Sequence, residues 1–175
     1  MKFNKLEGLK MNEIASLVLN ALKFILPAYC ANAAPVIFGG GLPMDLGKVF
    51  YDGRPIFGKN KTFRGFFSGL AIGTFVGLLE SLFFKYPIHF GFLLSLGALT
   101  GDLVGAFLKR RLGIPPGGIL PVIDQVDFII GAFIFSLPLN MLSLELAITV
   151  LLITPPIHLL TNFAAYKTGL KSTPW

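Results

Sequence analysis

Residues Ile88 to Leu108 read IHFGFLLSLGALTGDLVGAFL, and Lys109-Arg110-Arg111 follow at once. A run of that length with one carboxylate in it meets the requirement of about 20 apolar residues for a helix that crosses the hydrocarbon of a bilayer. Four further runs pass the same test, at 14–38, 63–84, 122–142 and 145–166. Strands are disfavoured in such segments, because lipid cannot hydrogen-bond an open sheet edge. Composition agrees: 54% of the 175 residues are hydrophobic and 14% charged, with a mean hydropathy of +0.73. A soluble domain of this size could not keep so much apolar side chain off its surface. The expected fold is all-α, a single polytopic membrane domain over 1–175 with five transmembrane helices.

Outward from the third run, Pro87 suits the first turn of its helix, where a missing N–H goes unnoticed. The connections at 85–87 and 143–144 are then tight turns, and two long loops remain, at 39–62 and 109–121. Both fall on one side. With the tail they carry Lys48, Arg54, Lys59, Lys61, Arg64, Lys109, Arg110, Arg111, Lys167 and Lys171, against Lys2, Lys5, Lys10 and Lys85 opposite. The positive-inside rule sets the loops in the cytoplasm, with the N-terminus out, the C-terminus in and residues 1–12 along the outer interface of the cell membrane. No nucleic-acid partner is expected, and oligomeric state is left open. The single Cys30 excludes an internal disulfide, and with only His89 and His158 beside it no zinc site of normal spacing can be assembled. Any metal must be oxygen-bound.

Charges inside the spans are costly and so are functional suspects. Asp102 lies six residues before Leu108, which at 1.5 Å per residue sets it about 9 Å inside the membrane end of its helix. Asp124 and Asp127 open the fourth span three residues apart, on one face. Capping would explain Asp124 alone. Gly101, Gly105 and Ala106 beside Asp102 invite a close backbone approach by a helix or a ligand. Lys23 and Glu80, in the outer halves of their spans, are expected to be structural, pairing or snorkelling, and His158 to be a hydrogen-bonded core histidine.

Loop one contains Gly53-Arg54-Pro55-Ile56-Phe57-Gly58-Lys59-Asn60-Lys61-Thr62-Phe63-Arg64-Gly65. Gly53 to Lys59 matches half of a nucleotide P-loop, but Asn60 stands where a Ser or Thr would hold magnesium and no strand precedes it. Simpler physics survives: glycines expose N–H groups, and Arg54, Lys59, Lys61 and Arg64 supply cations for several phosphates. Lys61, Thr62 and Arg64 also sit at the start of the second helix, an end favourable to anions. Loop two, Lys109-Arg110-Arg111-Leu112-Gly113-Ile114-Pro115-Pro116-Gly117-Gly118, leads back to Asp124. Cations and acids thus alternate around one cavity.

Gly101-Asp102-Leu103 through Lys109-Arg110-Arg111, followed by Asp124-Gln125-Val126-Asp127, resembles the signature of the CTP-dependent CDP-diacylglycerol synthases, and more closely that of their short archaeal relatives, the CDP-archaeol synthases. Ala31-Asn32-Ala33-Ala34-Pro35-Val36-Ile37-Phe38-Gly39-Gly40-Gly41 and Gly53 to Gly65 are similar to that family's first-loop pattern. The resemblance implies transfer of CMP from CTP to a digeranylgeranylglyceryl phosphate, with Mg2+ required and pyrophosphate released. It implies metal held by Asp102, Asp124 and Asp127, with Lys109 at the reacting groups. Arg54, Lys59, Lys61, Arg64, Arg110 and Arg111 would grip phosphates, and Asn32, Asn60 or Thr62 would read cytosine. A small transporter or channel with an acidic cation site is the rival expectation; it requires a polar path to the outer face, where Lys23, Glu80 and Asn140 stand.

Overall fold

The computed structural model describes residues 2–120, 122–171 and 173. Five α-helices follow in order: α1 (Lys2–Phe38), α2 (Phe63–Phe84), α3 (Phe90–Arg111), α4 (Ile123–Ser136) and α5 (Leu144–Lys167), with a 3-10 turn at Leu137–Leu139. No strand occurs among the described residues, only two isolated bridges inside loop one. Four of the helices, α1, α2, α3 and α5, are long and apolar enough to cross a membrane.

The fourth differs from the expected run of 122–142. Its 14 residues rise about 21 Å, because Pro138 has no N–H to donate and the chain tightens into the 3-10 turn before Asn140 leaves it at φ 52°. The first helix also differs, since its backbone continues unbroken from Lys2 instead of beginning near residue 14. Pro87 lies in the turn ahead of α3, its carbonyl accepting from the Phe90 N–H at 2.8 Å. At its other end α3 extends through Lys109, Arg110 and Arg111, where cations complement the carbonyl end of the helix dipole. Loop two therefore shortens to 112–122.

Inside a bilayer, apolar surface alone does not drive helices together; close backbone contact does. Glycines provide it here. A Cβ on Gly69 would fall 2.5 Å from the Ala31 carbonyl oxygen of α1, and one on Gly77 2.1 Å from the Gly91 Cα of α3. Phe24, Ile25, Phe90, Leu94, Phe128, Ile129 and Val150 are fully buried where α1, α3, α4 and α5 meet. Leu82, Phe83, Leu144 and Leu152 point outward, each more than 70% exposed, as apolar side chains that face lipid do.

Loop one is folded. The Met44 N–H donates to the Lys61 carbonyl at 2.8 Å and the Phe63 N–H to the Leu42 carbonyl at 3.1 Å, while the Phe50 N–H meets the Arg54 carbonyl at 2.8 Å near its tip. Buried Asp45 ties these parts together, its carboxylate accepting from the N–H groups of Gly47 (3.1 Å), Phe57 (3.0 Å) and Gly58 (2.7 Å).

Candidate active site

Thr62 caps α2, its hydroxyl accepting from the Gly65 N–H at 3.1 Å. The cap fixes the direction in which Lys61 enters the bundle, and its Nζ reaches Asp102 Oδ2 of α3 at 2.5 Å. A second ion pair closes the same end of the bundle: Lys109 Nζ of α3 lies 2.8 Å from Asp124 Oδ1 of α4. The other Asp124 oxygen accepts from the Leu120 N–H at 3.0 Å, so this acid organises the end of loop two while Val122 occupies the cap position. Asp124 Oδ1 is buried, and the approach of Lys109 does not give it a hydrogen bond among the described residues.

Asp127 completes the acidic set. Its Oδ1 accepts from the Phe128 N–H at 2.6 Å, and its other oxygen packs on α3, where a Cβ on Gly105 would come within 1.9 Å of it. Asp102 is its strongest charged neighbour, followed by Lys61 and Asp124. The three aspartates thus share one field. As they stand, no three acidic, His or Cys groups among the described residues converge tightly enough to coordinate an ion. The donor chemistry nevertheless fits a hard divalent cation: carboxylate oxygens from two helices, with Asp124 Oδ1 buried and met by the Lys109 ammonium.

The expected phosphate-binding residues divide into two groups. Arg110 is 4% exposed, and its Nε has no hydrogen-bond partner among the described residues; Asp124 is the acid that acts on it. A cleft of about 200 Å³ opens beside it between the loops, lined by Arg54, Pro55, Gly113, Ile114, Pro115 and Pro116. By contrast, Arg54 and Arg111 clasp loop one to α3. Arg54 Nη1 donates to the carbonyls of Arg110 and Arg111. Arg111 donates to Asp52 Oδ1 at 2.7 Å and to the carbonyls of Arg54 and Pro55, and its guanidinium stacks on Phe50 and Phe107, each ring centre 4.8 Å away. Arg64 Nε donates to the Phe38 carbonyl at 2.7 Å. Lys59 and Asn60 are exposed, Asn60 lying across from Gly117 of loop two. Asn32 is half-buried on α1, six residues before the helix end.

Lys23 stacks over the Phe84 ring at 4.4 Å; Glu80, 4% exposed, has no hydrogen bond to either oxygen among the described residues. His158 is half-buried rather than in the core, and it is hydrogen-bonded as expected, its Nδ1 3.2 Å from Asn162 Nδ2. Three residues were not singled out in the sequence. Asp45 and Asp52 organise loop one, and the Asp45-Leu46-Gly47 turn was the available signal. Lys171, beyond α5, lies within the field of Asp124, Lys61 and Lys109. Burial lowers its ammonium from the ordinary value, Asp124 opposing this and the two lysines adding to it.

Fold and site together define a multi-pass helical membrane protein with paired lysines and aspartates at one end of the bundle. Comparison with known proteins sharpens this. The family model described as CarS-like, CDP-archaeol synthase, matches residues 14–175, and the chain belongs to that family. It is 46% identical to the CDP-archaeol synthase of Pyrococcus furiosus over 90% of this chain and 98% of that one. It is also 46% identical to that of Methanococcus aeolicus, over 93% and 99%. A solved structure of an intramembrane enzyme for archaeal membrane lipid biosynthesis superposes with a TM-score of 0.77, at 38% identity, covering 83% of this chain and 94% of that chain.

Proposed function

We infer that the protein transfers CMP from CTP to an unsaturated archaetidic acid, digeranylgeranylglyceryl phosphate, giving a CDP-activated lipid and pyrophosphate. Family membership supports the reaction, and one observation carries its placement. The Lys61–Asp102 and Lys109–Asp124 pairs tie loop one and α4 to α3, so that cations and acids alternate at one end of the bundle. The lipid phosphate, a monoester with a second pKa of about 6, is largely dianionic at neutral pH and needs no general base. Its oxygen forms a bond to the α-phosphorus of CTP as the bond to the departing pyrophosphate breaks. Repulsion between the two anions is the main obstacle, so fixed positive charge is what the protein must supply.

Arg110, buried with an unused donor, and Lys61 and Lys109 are the groups placed to bind those phosphates. Asp102, Asp124 and Asp127 would hold magnesium, which when bound neutralises charge on the attacking and leaving oxygens. Lys59 and Asn60 stand on loop one, Asn60 across from Gly117 of loop two, and Thr62 and Arg64 stand at the start of α2; these residues would meet the nucleotide as it arrives from the cytoplasm. Arg54 and Arg111 serve the site by holding loop one to the end of α3.

The same reading keeps five crossings. With its 3-10 turn α4 rises about 27 Å, close to the hydrocarbon thickness of about 30 Å, and the clustered lysines and arginines favour a cytoplasmic site. Purified protein in detergent, given labelled CTP, magnesium and either archaetidic or phosphatidic acid, tests the chemistry. CDP-lipid should form, disappear with a chelator and return with magnesium; no CDP-lipid from either acceptor ends the proposal. For orientation, Lys59→Cys in a Cys30→Ser background should react with a membrane-impermeant thiol reagent only from the cytoplasmic face.

A further inference from the structure

After α5 ends at Lys167 the chain turns back on itself. Gly169, at φ +75°, reverses its direction. The Leu170 and Lys171 N–H groups then both donate to the Ala165 carbonyl, at 2.9 and 3.1 Å. From there the Lys171 side chain runs further down the helix, and its Nζ donates to Asn162 Oδ1 at 2.9 Å. Asn162 lies five residues inside the helix end, so the ammonium is carried about 7.5 Å back toward the membrane.

The face it follows is the one that looks at the acids. His158 and Asn162 are four residues apart and share that face. The His158 ring stacks on Phe128, centroids 6.2 Å apart, and Phe128 is the residue after Asp127. Lys171, Asp124 and Asp102 are also the charged groups that act on His158. Other faces of the same helix turn apolar side chains outward, Leu159 at 49% and Phe163 at 50% exposure. Lys171 therefore comes into the field of Asp124 from a lipid-facing helix, whereas Lys61 meets Asp102 from loop one and Arg110 borders the cleft between the loops.

We propose that Lys171, positioned by Asn162, is a substrate-binding residue for the phosphate of the lipid acceptor. The inference rests on the cytidylyl-transfer reading above. An acceptor whose isoprenoid chains stay in the bilayer must present its phosphate from the membrane side, and Lys171 is the cation that α5 brings there. CTP, arriving from water, meets the loop cations first. Lys171 lies beyond the spans and its backbone is held by the helix-end turn, so replacing its side chain leaves that turn intact.

Full-length Lys171→Met, Lys171→Arg and Asn162→Ala variants test this beside the wild type in mixed micelles, with CTP and the lipid phosphate varied separately. Lys171→Met should raise KM for the lipid phosphate by roughly tenfold or more, the scale of a lost charge-assisted hydrogen bond, and leave KM for CTP within about twofold. Lys171→Arg should recover most of the loss, and Asn162→Ala should show a smaller shift in the same direction. A rise in KM for CTP instead would make Lys171 a nucleotide ligand. A fall in kcat or melting temperature with both KM values unchanged would make it a structural clasp. Either outcome overturns the proposal while wild-type turnover stands. A wild type that forms no CDP-lipid overturns the underlying reaction instead.

Discussion

Asp127 and Gly105 are in contact across the α3–α4 interface, with no room between them for even a methyl group: a Cβ on Gly105 would lie 1.9 Å from Asp127 Oδ2. The glycine is thus a condition for the acid's position. Gly105→Ala should push the Asp127 carboxylate off α3 and away from Asp102, costing about 1–3 kcal/mol of stability as overpacking does. Turnover should fall by about a hundredfold or more. Thermal melting in detergent and steady-state rates check the two effects; unchanged turnover would show that Asp127 needs no fixed seat.

Asp127→Asn removes the charge and keeps the shape. The Asn side chain can still accept from the Phe128 N–H that now bonds Oδ1, so folding should survive while turnover is abolished. Wild-type-like turnover would remove Asp127 from the site, and lost folding would show that its charge is structural. Either departure is visible in paired melting and rate measurements.

Lys61 and Asp102 join loop one to α3 through a pair whose side chains are 28% and 25% exposed. If the pair acts as a unit in catalysis, Lys61→Ala and Asp102→Ala should each reduce turnover by at least about a hundredfold, and the double variant should be little worse than either. Multiplicative losses would mean that the two residues act independently.

Much of the helical architecture was legible in the sequence, because span length and buried charge are local signals. Asp102, Asp124 and Asp127 stood out since carboxylates at membrane depth are costly; in the structure Asp102 and Asp124 both act on Asp127, but among the described residues the three are not drawn together around one ion. Less legible were features that depend on backbone acceptors. Arg54 and Arg111 read as phosphate ligands from their charge, yet most of their hydrogen bonds go to carbonyl oxygens, which every residue carries and no motif marks. The fourth span was read through Pro138 because hydropathy ignores a missing N–H. Lys171 was hidden because its place depends on a chain reversal at Gly169.

Asp45 makes loop one sensitive to acid. Burial works against its charge, but the N–H groups of Gly58, Phe57 and Gly47 outweigh it and hold the carboxyl below the usual carboxylate range. The stability this gives is complete above the unfolded-state value of about 3.9 and is lost as pH falls through the lower folded value. Hydrogen exchange across residues 57–61 should therefore stay protected down to about pH 4 and open only below it. Asp45→Asn should lose about 2 kcal/mol of local protection at neutral pH. It should also raise KM for CTP; exchange unchanged by the substitution would show that the loop holds without this anchor.

Arg111 is the strictest test of the division between clasp and ligand. One guanidinium meets Asp52, two backbone carbonyls and two aromatic rings at once, a planar geometry that an ammonium cannot reproduce. Arg111→Lys should therefore resemble Arg111→Ala. Both should speed proteolysis at the loop-one tip and raise KM for CTP by about fivefold or more, while turnover at saturating CTP stays near wild type, because bound nucleotide helps to hold the loops closed. Had Arg111 instead gripped the triphosphate in the transition state, saturation would not restore the rate and kcat would fall with kcat/KM. Proteolysis unchanged alongside a lower kcat would reassign it from the clasp to the substrate.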